Sequence, residues 1–212
     1  MKFLKINTIL IKYGLEELPS DKYRILQMKE GECVVREGDV FSWFGILLKG
    51  KAKICRNSTD GKNLILAYYI EEGCIGEMEL LTNQSLITTT VMAQSDVSFL
   101  QLDVSTALHE FNTNLIFSQQ LARIMAAKLD ASSDNYVSSA LCTGEQRLCS
   151  YILQSSVNGV FREMLTDVSN SIGLSYRHLL RLMSQLCENQ FLEKRVDGYY
   201  IMDKKKLQEK AM

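Results

Sequence analysis

The chain has 212 residues, of which 46% are hydrophobic, and its formal net charge is −1. This length and composition predict a globular protein of one large domain or two small ones, and they exclude a disordered chain. Because the net charge is close to zero, the summed field neither attracts nor repels a polyanion strongly. A case for nucleic-acid binding must therefore rest on where the basic residues lie.

The sequence also argues against a membrane protein, a metalloprotein and an enzyme. No apolar run reaches the roughly 20 residues that a membrane-spanning helix requires. The first 12 residues contain Lys2, Lys5 and Lys12 and lack the cleavage pattern of a signal peptide. The six cysteines form no Cys-x-x-Cys pair, and neither of the two histidines is placed to complete a zinc site. We therefore expect a cytoplasmic protein with reduced, mostly buried thiols, no metal and no catalytic site.

Residues 20–102 are predicted to form an all-β domain. Glycines cut this stretch into short β-branched, aromatic or aliphatic runs, and short strands at this spacing indicate a sandwich or barrel. Segments such as Glu37-Gly38-Asp39 and Asp60-Gly61 are typical of tight turns, where glycine takes positive φ and aspartate hydrogen-bonds its own backbone. The predicted strands are 23–28, 33–36, 43–48, 51–56, 64–70, 88–93 and 97–102.

A long helical region is predicted next, because neither Gly nor Pro occurs between Asp103 and Thr143. One apolar face is indicated by residues at helical spacing, namely Phe117, Leu121, Ile124 and Lys128, and it is extended by Met125, Leu129 and Tyr136. A helix this long on a small β-domain typically packs against a partner. The alternative is a helix that lies on its own domain.

A second domain is predicted from Gly144, with a helix over 145–155 and a turn at Asn158-Gly159. Further on, Thr166-Asp167 can cap a short helix, since the hydroxyl accepts a free backbone N–H and the carboxylate suits the helix N-terminus. Val168 and Ile172 give that helix an inward face. Gly173 supplies the left-handed residue that ends it, and Leu174 fills the turn.

The next helix has the pattern of a DNA recognition helix that starts at a Ser175 cap. Its inward face consists of Leu179, Leu182, Met183 and Leu186. Its outward residues are Tyr176, Arg177, His178 and Arg181. Arginine can donate two hydrogen bonds to guanine O6 and N7, while tyrosine and histidine can bind phosphate or stack.

Two alternating runs, 191–196 and 199–202, are predicted to form a hairpin, or wing, that turns at Asp197-Gly198. Lys194 and Arg195 in the wing, and 204–206 beyond it, are placed to reach DNA phosphates. From Gly144 to the end there are ten basic and eight acidic residues, a net charge of +2. A solvated basic surface would give the same imbalance, so the prediction of DNA binding rests on the caps, Gly173 and the hairpin.

These residues resemble the CRP/FNR family of bacterial transcription regulators over about residues 20–205. The helix-turn-helix match runs from Ile172 to Arg181, and its Ser-Tyr-Arg-His-Leu-Leu string looks like the YeiL-type branch. The order and spacing of the N-terminal strings look like a cyclic-nucleotide-binding β-roll: Glu30-Gly31-Glu32, Arg36-Glu37-Gly38-Asp39, Leu47-Leu48-Lys49-Gly50, Asp60-Gly61-Lys62 and Gly76-Glu77-Met78-Glu79-Leu80-Leu81.

The resemblance implies an α+β fold of three parts: a cyclic-nucleotide-binding-like β-roll effector domain (1–102), a long dimerisation helix and hinge (103–143), and a winged helix-turn-helix DNA-binding domain (144–212). It also implies a homodimer that reads a roughly palindromic double-stranded DNA site, with RNA polymerase as a candidate partner. Half-sites would then lie about one helical turn, or a multiple of it, apart. The resemblance implies no particular cofactor for this chain.

The resemblance also places an effector pocket at Gly76, Glu77, Ile87, Thr88, Ser132 and Ser133. In cyclic-AMP-binding members a Glu takes the ribose hydroxyl and an Arg takes the phosphate, and the register from Gly76-Glu77 puts Ile87 at the Arg position. An apolar side chain cannot neutralise a buried phosphate. We therefore expect an effector other than cyclic AMP in its usual pose. Ser132 and Ser133 then become ordinary polar residues of the helix surface.

Three alternatives stay open at this stage. The oxygen-sensing members of the family hold an iron-sulfur cluster with cysteines ahead of the roll, but none precedes Cys33 here, which leaves a redox role to Cys74, Cys142 or Cys149. The chain could also be a ligand-binding or protein-interaction module that keeps the fold without reading DNA. An enzyme acting on a nucleotide in the roll lacks a candidate nucleophile, metal site or base, since Glu77 and Glu79 fit turn and backbone bonding better.

Overall fold

The first part of the chain folds into two β-sheets in a computed structural model that describes residues 2–56 and 68–211. Of residues 2–5, 68, 69 and 134–140 it describes the backbone alone. The sheets have the strand orders β1-β8-β3-β6 and β2-β7-β4-β5. The strands are β1 Tyr23–Met28, β2 Cys33–Val35, β3 Trp43–Lys49, β4 Ala52–Cys55, β5 Tyr68–Ile70, β6 Cys74–Ile75, β7 Thr90–Ala93 and β8 Val97–Asp103.

The predicted strands are confirmed wherever the structure describes them, and β1 keeps its predicted bounds. The Asp60-Gly61 turn and the first part of the predicted strand at 64–70 lie outside the described residues. Three elements of this region were not predicted from the sequence: the short strand β6, helix α1 (Lys2–Lys12) and helix α2 (Glu77–Thr82). The segment around Gly76-Glu77, predicted as a turn, is therefore the start of a helix.

The core of this unit lies between β3, β8 and the helices. Antiparallel pairing places Phe44 opposite Leu102 and Ile46 opposite Leu100, and all four side chains are fully buried. Burial of large aliphatic and aromatic side chains is the main favourable term in folding, so this pairing fixes the strand register. Helix α1 adds Leu10 to the same cluster.

The helical region divides into two helices, α3 (Val104–Thr113) and α4 (Leu115–Leu141). Asp103 caps α3 by accepting a 2.8 Å hydrogen bond from the backbone N–H of Thr106. Asn114 takes an extended conformation between the helices, and its side chain accepts a bond from the N–H of Phe117 at 3.1 Å. The predicted long helical region is thus interrupted, because the asparagine side chain caps the second helix.

The apolar face predicted on this helix packs within its own unit. Phe117 and Leu121 are fully buried, and Ile124 packs against the same core as a partly buried residue. Phe117, Leu121 and Ile124 of the predicted face therefore pack on their own unit, as in the alternative of a helix that lies on its own domain. That the helix also packs against a partner stays a prediction. Leu129, by contrast, is 70% exposed, whereas the side chain of Tyr136 lies outside the described residues.

The chain divides into two compact units, and the second holds residues 132–211. A three-stranded sheet in the order β10-β11-β9 packs with helices around a core that includes Leu148, Ile152, Phe161, Leu179 and Leu207. Its elements after α4 are α5 Gly144–Ser155, β9 Val160–Phe161, α6 Leu165–Ser171, α7 Tyr176–Glu188, β10 Leu192–Arg195, β11 Gly198–Ile201 and α8 Lys204–Ala211. Helix α8 was not predicted from the sequence.

Helix α5 begins with a complete capping box. The backbone N–H of Thr143 donates to Gln146 Oε1 at 2.8 Å, and the N–H of Gln146 donates to Thr143 Oγ1 at 3.3 Å. Two otherwise unpaired donors are thereby satisfied, which fixes the start of the helix. Across the two described stretches, 2–56 and 68–211, no helix is both long and apolar enough to cross a membrane.

The conformation of Gly76 predicts a measurable cost for a side chain at this position. Gly76 has φ +85°, and an added Cβ would lie 2.6 Å from Phe41 Cε2. Gly38 has φ +89° with no atom within 4 Å of an added Cβ, so Gly38→Ala is a control that reports backbone strain alone. We expect Gly76→Ala to lower the free energy of unfolding by about 1–3 kcal/mol more than Gly38→Ala does.

Urea unfolding followed by tryptophan fluorescence measures this difference, because Trp43 in β3 is the one tryptophan of the chain. Equal destabilisation by the two substitutions would show that Phe41 does not restrict this position.

Candidate nucleic-acid interface and effector site

Helix α6 begins two residues earlier than predicted. The carbonyl of Met164 accepts the first helical hydrogen bonds, from the N–H groups of Asp167 and Val168, both at 3.0 Å. Thr166 therefore lies inside the first turn, and the prediction that Thr166-Asp167 caps this helix is wrong. Met164 is the N-cap residue of α6, and its side chain makes no hydrogen bond to the first turn. The predicted inward face is confirmed, since Val168 and Ile172 are buried.

The turn between α6 and α7 has the predicted glycine and serine geometry. Gly173 takes φ +64°, and the N–H of Leu174 donates to Ser169 O at 2.9 Å, which closes the end of α6 as a left-handed residue commonly does. Leu174 packs partly buried against the core. Ser175 has extended dihedral angles and caps α7, because its hydroxyl accepts a bond from the N–H of His178 at 3.3 Å.

Helix α7 is sharply divided into an inward and an outward face. Its four inward residues are each 5% exposed or less: Leu179, Leu182, Met183 and Leu186. Tyr176 is 46% exposed, and Arg177 and Arg181 are also exposed. The predicted inward face is therefore confirmed, and three of the four predicted outward side chains face solvent.

His178 differs from the other predicted outward residues. It is half-buried, and a Cβ added at Gly144 would lie 3.5 Å from its Cε1 atom. The ring thus lies beside the start of α5. Leu180, which the sequence analysis did not single out, is 41% exposed on the outward face. Its position four residues after Tyr176 was the signal that could have identified it.

The wing turns one residue earlier than predicted. Arg195 pairs with Gly198 in the antiparallel register, so Val196 and Asp197 form the turn. Gly198 is needed for a different reason, because a Cβ there would lie 2.6 Å from the carbonyl oxygen of Phe161 in β9. Gly198 also has φ +146°, so the close approach of β11 to β9 and the backbone conformation both favour glycine at this position.

The basic side chains of the wing are held by neighbours. Arg195 forms an ion pair with Glu193 at 2.8 Å and lies 4.1 Å over the ring of Tyr200. Lys194 is exposed, with its ammonium 5.9 Å from the ring centroid of Tyr199. Tyr199 and Tyr200 thus orient both cations along the hairpin.

Arg162, which the sequence analysis missed, adds a third cation at the tip of the wing. It forms an ion pair with Asp197 at 3.0 Å, and the Tyr200 hydroxyl donates to the same carboxylate at 2.8 Å. These two hydrogen bonds, that from Tyr200 being the larger cause, hold the pKa of Asp197 below its usual range. The predicted lysines at 204–206 lie in the first turn of α8, and Lys206 there pairs with Asp203 at 3.1 Å.

In the first unit, the candidate effector site contains an ion pair between α2 and α4. Glu77, the first residue of α2, is 3% exposed. The ammonium of Lys128 donates to Glu77 Oε1 and also to the carbonyl oxygen of Cys74 at 3.0 Å. Among the described residues, the other carboxylate oxygen of Glu77, Oε2, is buried without a hydrogen-bond partner. Lys128 therefore neutralises a carboxylate that is removed from water.

The other predicted pocket residues have partners of their own. Ile87 is 7% exposed, and its backbone bonds at 2.8 and 2.9 Å to the Gly38-Asp39 segment. Thr88 donates from its N–H and its hydroxyl to Glu79 Oε1, at 2.7 and 2.6 Å. The expected backbone hydrogen bonding is therefore confirmed for Glu79, which accepts from the N–H of Thr88, whereas Glu77 pairs with the side chain of Lys128 instead.

Ser132 and Ser133 are exposed residues of α4 and belong to the second unit. In the described part of the chain, no group of His, Cys, Asp and Glu side chains is arranged to hold a metal ion.

Two of the three thiols proposed for redox chemistry, Cys74 and Cys149, are poor nucleophiles in this fold. Burial is the first cause that raises the pKa of Cys74 well above its ordinary value, and the neighbouring Glu77 raises it further. Burial likewise raises the pKa of Cys149 to about 12. Since the thiolate is the reactive form, these two cysteines stay protonated at neutral pH. Cys142 is partly exposed.

The buried ion pair gives a stability prediction. Lys128→Met removes one partner and leaves a buried charge, which should lower the free energy of unfolding by about 3–5 kcal/mol. The double variant Lys128→Met with Glu77→Gln leaves no unpaired carboxylate at position 77, so it should recover most of that loss. Urea unfolding followed through Trp43 fluorescence provides the measurement. If the double variant is as unstable as Lys128→Met alone, the loss comes from packing rather than from the unpaired carboxylate.

Comparisons with known proteins agree with this architecture. Residues 25–114 match the cyclic nucleotide-binding domain family. The chain is 25% identical over 190 residues to the regulatory protein YeiL of Escherichia coli O157:H7, covering 87% of this chain and 84% of that protein. It is 23% identical over 193 residues to the transcriptional activator FnrA of Stutzerimonas stutzeri, covering 83% and 75%.

The fold is also found among solved structures. A CRP/FNR-family transcriptional regulator from Eubacterium rectale superposes with a TM-score of 0.73 at 15% identity, over 92% of this chain and 93% of that one. At 15% identity this likeness shows the fold alone. Both sequence relatives are named as regulators. In its matched domain, its sequence relatives and its fold, the chain is therefore similar to transcription regulators of the CRP/FNR type.

Proposed function

We propose that the chain acts as a homodimer that binds double-stranded DNA through α7 and responds to a signal other than cyclic AMP in its usual pose. The observation that carries the proposal is the outward face of α7. Directly after the Ser175 cap, Tyr176, Arg177 and Arg181 are exposed, while the opposite face is buried in the core. A capped, amphipathic helix with arginines in its first two turns fits the major groove.

In this proposal each basic group has one of two tasks. Arg177 and Arg181 donate bidentate hydrogen bonds to guanine O6 and N7, which selects sequence. Lys194 and Arg195 of the wing contact phosphates, which adds affinity on any sequence. Ser175 and Tyr176 have hydroxyls that suit phosphate contacts. His178 is the predicted contact with the least support, since its ring is half-buried beside Gly144.

Dimerisation is proposed along the side of α4 that does not face its own core. Leu115 is 71% exposed and Leu129 is 70% exposed. Ala122, midway between them at seven-residue spacing, is also exposed. A seven-residue apolar repeat is the pattern of two helices packed side by side. This seam lies on a different side of the helix from Phe117 and Leu121, which are buried in the first unit.

The three-part organisation proposed for this function keeps the predicted boundaries. Residues 1–102 form the effector domain, 103–143 the dimerisation helices and hinge, and 144–212 the DNA-binding domain. An effector that binds one arrangement of these parts more tightly than another would raise the population of that arrangement. The size of the shift is set by the difference between the two affinities.

Two features of the first unit support an effector other than cyclic AMP in its usual pose. Ile87, at the position of the phosphate-binding arginine, is buried and apolar, so a phosphate beside it would be left unpaired. Glu77 is already engaged by Lys128. A nucleotide that used Glu77 for a ribose hydroxyl would have to displace this ion pair. Gly76 and Thr88 frame the same site, and Ser132 and Ser133 are assigned no ligand contact.

The tasks of the arginines and the wing lysine can be separated by substitution. We expect Arg177→Ala and Arg181→Ala each to weaken binding to the specific site by about 1–3 kcal/mol and to relax base preference. Lys194→Ala should weaken binding to specific and random DNA alike and flatten the salt dependence. Fluorescence anisotropy of labelled duplexes at several salt concentrations gives both quantities.

Two outcomes would contradict these assignments. Equal losses on specific and random DNA for Arg177→Ala would end its base-reading role. If the unmodified chain binds neither duplex, it is a ligand-binding or protein-interaction module that has kept the fold without reading DNA.

The seam on α4 gives a prediction about assembly. Leu129→Glu places a charge in the proposed apolar interface and should raise the dimer dissociation constant at least about tenfold. Ala127→Glu is the control, because Ala127 is exposed on the same helix but lies away from the seam. Sedimentation velocity over a concentration series measures both variants. Unchanged dimers in Leu129→Glu would place the interface elsewhere.

A further inference from the structure

One aliphatic side chain of α7 lies on the face proposed to meet DNA. Leu180 is 41% exposed, while the inward residues of the helix are 5% exposed or less. The other exposed residues beyond the first turn are polar, namely Arg181, Ser184, Gln185 and Glu188. Leu180 therefore adds little to the core of the second unit, and its exposed surface is free to contact a partner of that face.

The outward residues of α7 form two adjacent columns. Tyr176 and Leu180 are four residues apart, and so are Arg177 and Arg181. Residues at this spacing lie one above the other on a helix. Because each arginine directly follows a member of the first column, an apolar and aromatic column runs beside a basic one. Both columns lie within the first six residues of α7, the part of a recognition helix that contacts base edges.

The major groove offers one apolar group to such a side chain, the 5-methyl group of thymine. The arginine column is suited to guanine O6 and N7, so the leucine column would meet a neighbouring base pair. Cytosine presents an amino donor in the groove, which an aliphatic side chain cannot satisfy. Leu180 would thus favour thymine over cytosine both by attraction and by exclusion.

We propose that Leu180 is a specificity-determining residue that contacts the 5-methyl group of a thymine next to the guanine bound by Arg177 or Arg181. This inference rests on the proposed DNA-binding function and deepens it by naming a second base. Each half-site then contains a guanine and a thymine as neighbours on the groove edge read by α7.

Replacement of thymine by deoxyuridine tests the contact, because it removes the methyl group and keeps the base pair. A duplex is first selected from a random-sequence pool with the full chain, and each thymine of a half-site is then replaced singly. We expect the unmodified protein to lose about three- to fivefold in affinity at one thymine, as burial of one methyl group implies. Leu180→Ala should show no loss at that position.

Two controls separate the methyl contact from other effects. Arg177→Ala, in the neighbouring column, should keep the three- to fivefold response to deoxyuridine although it binds more weakly. Leu180→Ala should stay folded and lower the unfolding temperature by only a few degrees (about 1 kcal/mol), since Leu180 is 41% exposed and lies outside the buried core cluster.

The inference is overturned if no thymine of the selected half-site responds to deoxyuridine, or if Leu180→Ala responds as strongly as the unmodified protein. Either result, obtained with a chain that still prefers its selected duplex to random DNA, leaves the proposed function intact. A chain with no preference for any duplex fails at the earlier step and overturns both.

Discussion

The packing of α4 onto its own β-roll is the constraint on which the remaining arrangement depends. Phe117 and Leu121 are fully buried there, and two turns further the ammonium of Lys128 pairs with the buried carboxylate of Glu77. Because this side of the helix is used within the unit, the exposed seam of Leu115, Ala122 and Leu129 is the side on which we propose dimerisation. The same contact engages Glu77, so a ligand that used this carboxylate would compete with Lys128.

In the second unit, the residues just before α7 set where this helix begins. Gly173 ends α6 with a left-handed residue, and Ser175 restarts the helix two residues later. Since the inward face of α7 is buried, its rotation about its own axis is fixed, and Arg177, Leu180 and Arg181 must face outward. The wing is fixed in turn by the approach of Gly198 to β9 and by the contacts among Arg162, Asp197 and Tyr200.

Elements with strong periodicity were predictable from the sequence, whereas features set by tertiary contact were not. The short apolar run over 23–28 predicted β1 with its full bounds, and a Ser cap with an inward face of three Leu and one Met predicted α7. The break at Asn114 and the start of α6 at Met164 depend on which backbone groups find hydrogen-bond partners in the folded chain. Residue type alone therefore did not identify them. The pair of Glu77 with Lys128 joins residues 51 positions apart, and Lys128 was accordingly interpreted as part of an interface. The exposure of Leu180 was not predicted, because the outward face was identified from its polar and aromatic residues.

The central claim is that this chain selects DNA sequence as a dimer through α7. Selection of duplexes from a random-sequence pool by the full chain, followed by sequencing of the retained molecules, tests it most directly. We expect enrichment of one family of inverted repeats, with half-sites about one helical turn, or a multiple of it, apart. Retained duplexes that are no more alike than the starting pool would contradict it.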